Sequence, residues 1–200
     1  MTRVKICGIT RLDDAMAAAA LGADAIGLVF VGSSPRCVDP ETARAICRAL
    51  PPFVSRVGLF MDPRPGDVTG VLDKVPLDWL QFHGSENQAF CRQFGRPWIK
   101  ALAMGDEAVA VDGFEQADAL LLDAHRSGQR GGRGDTFDWN RVPALKQPWI
   151  LAGGLHPGNV AAACRRLSPM AVDVSSGVER SPGVKSDKLM HEFIEAARHG

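Results

Sequence analysis

The sequence has no excess of charge of either sign. Its 23 Lys and Arg residues balance its 23 Asp and Glu residues, which gives a formal net charge of +0 at pH 7. Because general nucleic-acid binding needs clustered positive charge, we predict no nucleic-acid partner. A small anionic ligand stays compatible with this balance, since it needs only a local site. The mean hydropathy of −0.04 excludes an intrinsically disordered chain, and 200 residues fit a single domain.

The sequence also lacks long hydrophobic runs and paired cysteines. No stretch approaches the roughly 18 apolar residues of a membrane span, and the amino terminus lacks the apolar core of a signal peptide. We therefore predict no membrane association. The five cysteines are scattered without a Cys-x-x-Cys pair, which predicts neither a disulfide framework nor a zinc site. Such cysteine usage fits a reducing compartment, so the predicted location is the cytoplasm.

Short apolar runs alternate with helical patterns along the chain. The predicted strands cover residues 3–9, 23–31, 55–61, 77–83, 98–104, 117–124, 149–154 and 170–176. The predicted helices cover residues 12–21, 40–50, 66–74, 86–94, 107–116, 139–145, 158–167 and 187–198. Asp39, Ser85 and Ser186 precede three of these helices and are suitable N-cap residues.

This alternation predicts βαβ units and a parallel sheet that is buried on both faces. Eight such units in about 200 residues match the smallest (β/α)₈ barrels. An open, doubly wound sheet is the alternative, because the period alone does not prove closure. Its Gly-x-Gly-x-x-Gly fingerprint is absent after the first strand, where Cys7-Gly8-Ile9-Thr10 stands instead. We predict an α/β fold in which residues 1–200 form a single (β/α)₈ TIM barrel.

Titratable side chains gather at the carboxyl ends of the predicted strands, where barrel enzymes place their active sites. The first strand ends with Lys5 and Cys7, which share one face because side chains alternate along a strand. The fourth strand ends at His83, the sixth at Asp123, and the eighth carries Asp173. Four strands thus deliver reactive groups to the same rim.

Taken singly, each of these residues has a structural interpretation. A free cysteine is often a small buried hydrophobic residue, Asp123 could cap a helix, and His83 could be structural or line a substrate site. Lys5, Lys100 and Asp173 could form an internal ion-pair layer or contact a ligand, because interior charges must be paired. Their convergence on one rim favours the functional interpretation.

Two glycine-rich stretches predict a phosphate site. Gly153 and Gly154 follow the seventh strand, and Ser175, Ser176 and Gly177 follow the eighth. Barrels frequently bind phosphate between these two loops, where glycine lets backbone N–H groups approach the anion. A third glycine-rich stretch, residues 128–134, lies in a long loop after the sixth strand. We expect this loop to act as a lid over the ligand.

Several motifs occur here in the order found in the phosphoribosylanthranilate isomerases, the (β/α)₈-barrel enzymes of tryptophan biosynthesis. They include Val4-Lys5-Ile6-Cys7-Gly8-Ile9-Thr10, Ser34-Pro35-Arg36, Gln81-Phe82-His83-Gly84, Leu121-Leu122-Asp123, Ala152-Gly153-Gly154-Leu155 and Asp173-Val174-Ser175-Ser176-Gly177-Val178-Glu179. The chain resembles this family from end to end.

The resemblance implies a reaction, an Amadori rearrangement of a phosphosugar that uses neither a metal nor an organic cofactor. It implies that Asp123 is the general acid, that Cys7 is the general base and that Arg36 meets the anthranilate part of the substrate. It also implies that Lys5, His83 and Asp173 line the substrate site. A thiol is only a few per cent ionised at pH 7, so we expect Lys5 to lower the pKa of Cys7.

Two alternatives remain open at this stage. The isomerase of histidine biosynthesis performs the same rearrangement on a larger substrate, but its barrel typically uses paired carboxylates and two similar halves. Here the first strand ends in Cys7, and the sequence shows no clear half repeat. A non-catalytic barrel subunit is the other alternative, although Cys7 and Asp123 are both present. The sequence leaves a homo-oligomer open.

Overall fold

The computed structural model describes residues 1–105, 111–124 and 138–199. Within them, eight parallel strands close into a barrel in chain order, and β1 pairs with both β2 and β8. The barrel strands are β1 Arg3–Ile6, β2 Ala25–Val29, β3 Ser55–Phe60, β4 Trp79–Phe82, β5 Trp98–Ala103, β6 Ala119–Asp123, β7 Trp149–Leu151 and β8 Ala171–Val174. The predicted (β/α)₈ barrel is confirmed, and the open sheet is excluded.

The apolar side chains of the strands form two separate clusters. The larger one packs between the sheet and the surrounding helices and includes Ile6, Leu80 and Val172. The smaller one fills the interior of the barrel and includes Val57, Ile99 and Leu121. A strand in such a parallel sheet is buried on both faces, which explains why the strand sequences are continuous apolar runs.

The helices cover the outside of the barrel. They are α1 Leu12–Ala20, α2 Pro40–Ala49, α3 Pro65–Leu72, α4 Gln88–Arg92, α5 Val160–Leu167 and α6 Asp187–His199. Asp39 is the predicted N-cap of α2, since its carboxylate accepts from the backbone N–H groups of Glu41 and Thr42. No helix in the described parts of the chain has both the length and the apolar character needed to cross a membrane.

Three predicted helical features are wrong. α4 begins two residues later than predicted, with Asn87 rather than Ser85 as its N-cap. Residues 139–145 contain only the 3₁₀ turn Trp139–Arg141. Val142 comes directly before a proline, which favours extended backbone at the preceding residue, and Val142 adopts that conformation. Residues 111–116 form turns rather than a helix, and Gly113 has a φ of 91°. Residues 107–110 of that predicted helix lie outside the described residues.

A short antiparallel hairpin follows β8 and was not predicted from the sequence. Its strands are β9 Glu179–Ser181 and β10 Val184–Lys185. Gly183 makes the tight turn between them with a φ of 79°, which favours glycine. The backbone N–H of Lys185 donates to the buried carboxylate of Asp14 over 3.0 Å, and this bond fixes the hairpin to α1.

Candidate active site

A cavity of about 110 Å³ opens at the carboxyl ends of the barrel strands. Predicted site residues from five different strands or the loops after them line it, namely Cys7, Arg36, His83, Asp123, Asp173 and Ser175. The structure therefore brings the two predicted catalytic residues, Cys7 and Asp123, to one cavity although 116 positions separate them in the sequence (123 − 7).

Lys5 and Asp173 form a buried ion pair across β1 and β8. The two residues are register partners, and Nζ of Lys5 lies 2.8 Å from Oδ1 of Asp173. Burial lowers the pKa of Lys5, but Asp173 and the neighbouring thiol of Cys7 outweigh it, so this pKa lies above its ordinary value. Lys5 is therefore a fixed cation beneath the cavity.

Of the two alternatives left open for Lys100, the structure shows an internal ion pair, but with Glu86 rather than with Asp173. Nζ of Lys100 lies 2.9 Å from the buried carboxylate of Glu86 and 2.5 Å from the carbonyl oxygen of Gly84. Lys100 thereby fixes the loop that follows β4. That loop begins with His83, so Lys100 fixes the backbone next to a residue that lines the cavity.

Cys7 is 5% exposed and lies one residue beyond β1. Burial raises the pKa of its thiol, Lys5 and Lys185 lower it, and Asp173 raises it further, with a net shift above the ordinary value. The predicted direction of the effect of Lys5 is confirmed. The expectation of a lowered pKa is wrong, because the cost of placing a thiolate in a buried site exceeds the attraction of the two lysines.

Asp123 lies at the end of β6 and faces His83. Nε2 of His83 is 3.2 Å from Oδ2 of Asp123, and Nδ1 of His83 is 3.1 Å from the amide nitrogen of Gln81. The two ring nitrogens of His83 therefore face Gln81 on one side and Asp123 on the other.

Arg36 reaches the cavity from the loop after β2. Its Nε and Nη2 donate to the two carboxylate oxygens of Glu179 over 2.8 and 2.7 Å. Its stem passes directly over Gly8, where a Cβ would lie 2.5 Å from Cδ of Arg36 and where φ is 71°. Gly8 therefore lets the guanidinium lie close above the end of β1, beside Cys7.

The two predicted phosphate-binding loops contact each other. Gly153 and Gly154 have φ values of 82° and 62°, which favour glycine. A Cβ on Gly177 would overlap the carbonyl oxygen of Leu155, so the loops after β7 and β8 approach as closely as their backbones allow. Ser176 and Gly177 belong to the 3₁₀ turn Ser176–Val178. This proximity is what a cradle of backbone N–H groups for an anion requires.

The remaining predictions concern the long loop after β6, disulfide bonds and metal binding. The glycine-rich stretch 128–134, interpreted as a lid, lies outside the described residues. All five cysteines are free thiols. Within residues 1–105, 111–124 and 138–199, no group of three or more His, Cys, Asp or Glu side chains is arranged to hold a metal ion.

A closed parallel barrel with reactive side chains and glycine-rich turns at the carboxyl ends of its strands defines a (β/α)₈-barrel enzyme. The model of the N-(5'phosphoribosyl)anthranilate (PRA) isomerase family matches residues 4–196. The chain belongs to this family.

Individual relatives agree with this assignment. The N-(5'-phosphoribosyl)anthranilate isomerase of Acidithiobacillus ferrooxidans is 55% identical, over 99% of this chain and 98% of the relative. The crystal structure of phosphoribosyl anthranilate isomerase from Thermus thermophilus has a TM-score of 0.87 and 40% identity, with 99% of each chain covered. A second solved structure is the isomerase in complex with reduced 1-(o-carboxyphenylamino)-1-deoxyribulose 5-phosphate. It has a TM-score of 0.81 and 39% identity, with 100% of each chain covered.

Proposed function

We propose that this chain catalyses the reaction of its family, the Amadori rearrangement of N-(5-phosphoribosyl)anthranilate in tryptophan biosynthesis. The product is 1-(2-carboxyphenylamino)-1-deoxyribulose 5-phosphate. The observation that carries the proposal is that Cys7 and Asp123, delivered by β1 and β6, line one cavity. The full-length family relationship favours this reaction over that of the histidine-biosynthesis isomerase and over a non-catalytic barrel.

Asp123 is the general acid in this proposal. It gives its proton to the furanose oxygen as the bond between that oxygen and C1 breaks, so the ring opens and the nitrogen lone pair forms a positively charged, protonated imine with C1. A carboxyl with an ordinary pKa near 3.9 is ionised at neutral pH, so the acid must obtain a proton inside the site. Nε2 of His83 lies 3.2 Å from the carboxylate of Asp123 and is a titratable neighbour of it in the cavity.

Cys7 is the general base. Its thiolate removes the proton from C2. The electron pair of that C–H bond forms the C1–C2 double bond, and the π pair of the C1–N bond returns to nitrogen, which gives an enolamine. The enolamine then tautomerises to the ketone. Lys5 and Lys185 both favour the thiolate, and this attraction opposes the burial that favours the thiol.

The remaining site residues bind and orient the substrate. The loops that carry Gly153, Gly154, Ser175, Ser176 and Gly177 hold the phosphate through backbone N–H groups. Arg36 receives the carboxylate of the anthranilate part, because its planar guanidinium matches a carboxylate in two hydrogen bonds.

The direct test is to generate phosphoribosylanthranilate in situ and to follow the loss of its fluorescence. We expect turnover by the wild-type chain and a loss of several orders of magnitude in Cys7→Ser. The matched control is Cys37→Ser, because Cys37 is an exposed thiol beside Arg36 and has no role in the reaction. Equal rates in the two variants, or no turnover by the wild-type chain, would refute the proposal.

The proposal extends to the setting of the reaction. Residues 1–200 act as one catalytic domain in the cytoplasm, and the partner is a small phosphosugar rather than a nucleic acid. The balance of 23 basic and 23 acidic residues supports a ligand held by a local site. The sequence leaves the oligomeric state open, and sedimentation of the purified chain would determine it.

A further inference from the structure

Glu179 and Lys185 lie on the β9–β10 hairpin. The reaction described above gives Glu179 no role, and it gives Lys185 only an electrostatic influence on the thiol of Cys7. The side chain of Lys185 is fully buried, and that of Glu179 is 5% exposed. Oε1 of Glu179 accepts from Nε of Arg36 and from Nζ of Lys185, each over 2.8 Å, while Oε2 accepts from Nη2 of Arg36 over 2.7 Å. One carboxylate therefore holds two cations beside the cavity.

We propose that Glu179 is a positioning residue that fixes the guanidinium of Arg36 for the carboxylate of the aromatic half of the substrate, and that Lys185 fixes Glu179. This inference rests on the proposed function, since it specifies how one end of that substrate is recognised. Neither residue touches the reacting atoms.

The hydrogen-bond pattern of Arg36 supports this role. A guanidinium has five N–H donors on a rigid plane, and Glu179 engages the edge formed by Nε and Nη2. Among the described residues, no hydrogen bond is formed at the edge between Nη1 and Nη2. A second carboxylate can therefore bind that edge with two hydrogen bonds while Glu179 keeps the plane of the group fixed.

Lys185 connects this pair to the other half of the site. Its Nζ also donates to the carbonyl oxygen of Ser175 over 3.0 Å, and Ser175 begins the loop assigned to the phosphate. A substitution at Glu179 should therefore affect only the aromatic end of the substrate. A substitution at Lys185 should affect both ends, because it releases Glu179 and the loop after β8 together.

Arg36 and Lys185 stabilise the charge of Glu179, whereas burial lowers the pKa of Lys185 below its ordinary value despite the attraction of Glu179. Burial raises the pKa of Glu179, but Arg36 and Lys185 outweigh it, so the net pKa is lower than its ordinary value. Burying charged groups is costly even when they are paired, and an apolar cluster of equal volume would stabilise the fold at least as well. The need to hold the guanidinium of Arg36 in one orientation explains why three charged side chains lie at the rim of the cavity.

The experiment compares Glu179→Gln with Arg180→Gln, an exposed neighbour on the same strand. KM and kcat are measured with phosphoribosylanthranilate, and calorimetry gives the dissociation constants of anthranilate alone and inorganic phosphate alone. In Glu179→Gln we expect KM and the anthranilate constant to rise about tenfold, the usual effect of weakening a charge-assisted hydrogen bond. We expect kcat and the phosphate constant to change less than about twofold, and Arg180→Gln to match the wild type.

Two further variants separate positioning from folding. Glu179→Asp keeps the charge but shortens the side chain by one methylene, so it should raise KM as Glu179→Gln does. Lys185→Met should weaken both anthranilate and phosphate, and thermal unfolding identifies any variant that has lost its structure. An unchanged KM in a folded Glu179→Gln, or equal weakening of both probes, overturns the inference. If the wild-type chain has no turnover, the proposed function fails instead.

Discussion

Gly27 and Cys7 are in direct contact across the first two strands of the barrel. A Cβ built on Gly27 would lie 2.7 Å from Sγ of Cys7 and 3.1 Å from Nζ of Lys5. The backbone of Gly27 does not occupy the left-handed region, so glycine is needed here for space rather than for conformation. The missing side chain gives the sulfur and the ammonium group room to lie side by side.

We therefore expect Gly27→Ala to lower kcat by about a hundredfold, because a displacement of roughly 1 Å in a catalytic group has an effect of that size. The fold should persist, because two of the three atoms nearest to the added methyl group, Sγ of Cys7 and Nζ of Lys5, are the ends of side chains. Gly70→Ala is the control, because a Cβ there meets nothing within 4 Å. Steady-state kinetics checks the prediction, and equal kcat values in the two variants would disagree with it.

The pH dependence of kcat/KM follows from the burial of Cys7. The base must lose its proton before it can act, and burial raises the pKa of this thiol despite the opposing effect of Lys5 and Lys185. The rate should therefore rise with pH, and the midpoint of the rising limb should lie above the ordinary thiol pKa of about 8.5. A pH profile measured with wild-type protein checks this, and a midpoint below neutrality would be inconsistent with it.

The ion pair between Lys5 and Asp173 predicts a large effect on stability. Asp173→Asn leaves the buried ammonium group of Lys5 without its counter-charge, which should lower the free energy of unfolding by about 3 kcal/mol. Urea unfolding measures this change. The control is Lys188→Gln, which removes an exposed ion pair with Glu192 and should change the free energy by less than about 0.5 kcal/mol. Similar losses in both variants would show that the buried ion pair contributes no more to the free energy of unfolding than the exposed one.

The contact between the two glycine-rich loops predicts a selective effect on phosphate. Gly177→Ala places a methyl group against the carbonyl oxygen of Leu155, so the loops after β7 and β8 must separate. We expect inorganic phosphate to inhibit this variant at least about tenfold less strongly, with anthranilate binding unchanged. Inhibition constants for the two compounds test this expectation. Unchanged inhibition by phosphate would remove Gly177 from the phosphate site.

Most of the barrel could be predicted because its strands and helices alternate regularly. Periodicity alone did not give the ends of these elements. For example, the proline after Val142 stops the helix expected over residues 139–145, and β9 and β10 are too short to show a strand pattern. The closure of the barrel was favoured by the size of the chain and is established by the pairing of β1 with β8.

The titratable residues at strand ends that line the cavity could be predicted from their positions in the sequence. Arg36 came from the family resemblance, and the apolar lining, which includes Leu59, was not predicted. The residues that position these lining residues could not be predicted. Gly27 and Glu179 carry no local signal of their roles, since one acts through the absence of a side chain and the other through a contact 143 positions away. Whether the pKa of Cys7 lies above or below its ordinary value depends on the extent of burial and on the nearby charges, and both are known only from the three-dimensional structure.

The central claim is that Cys7 and Asp123 act on one substrate held between them. The most direct test measures kcat together with binding of reduced 1-(o-carboxyphenylamino)-1-deoxyribulose 5-phosphate in Cys7→Ala and Asp123→Asn. The account predicts that kcat falls by orders of magnitude in each variant while the dissociation constant of this compound changes less than about fivefold. Near-normal turnover in either variant would contradict the account.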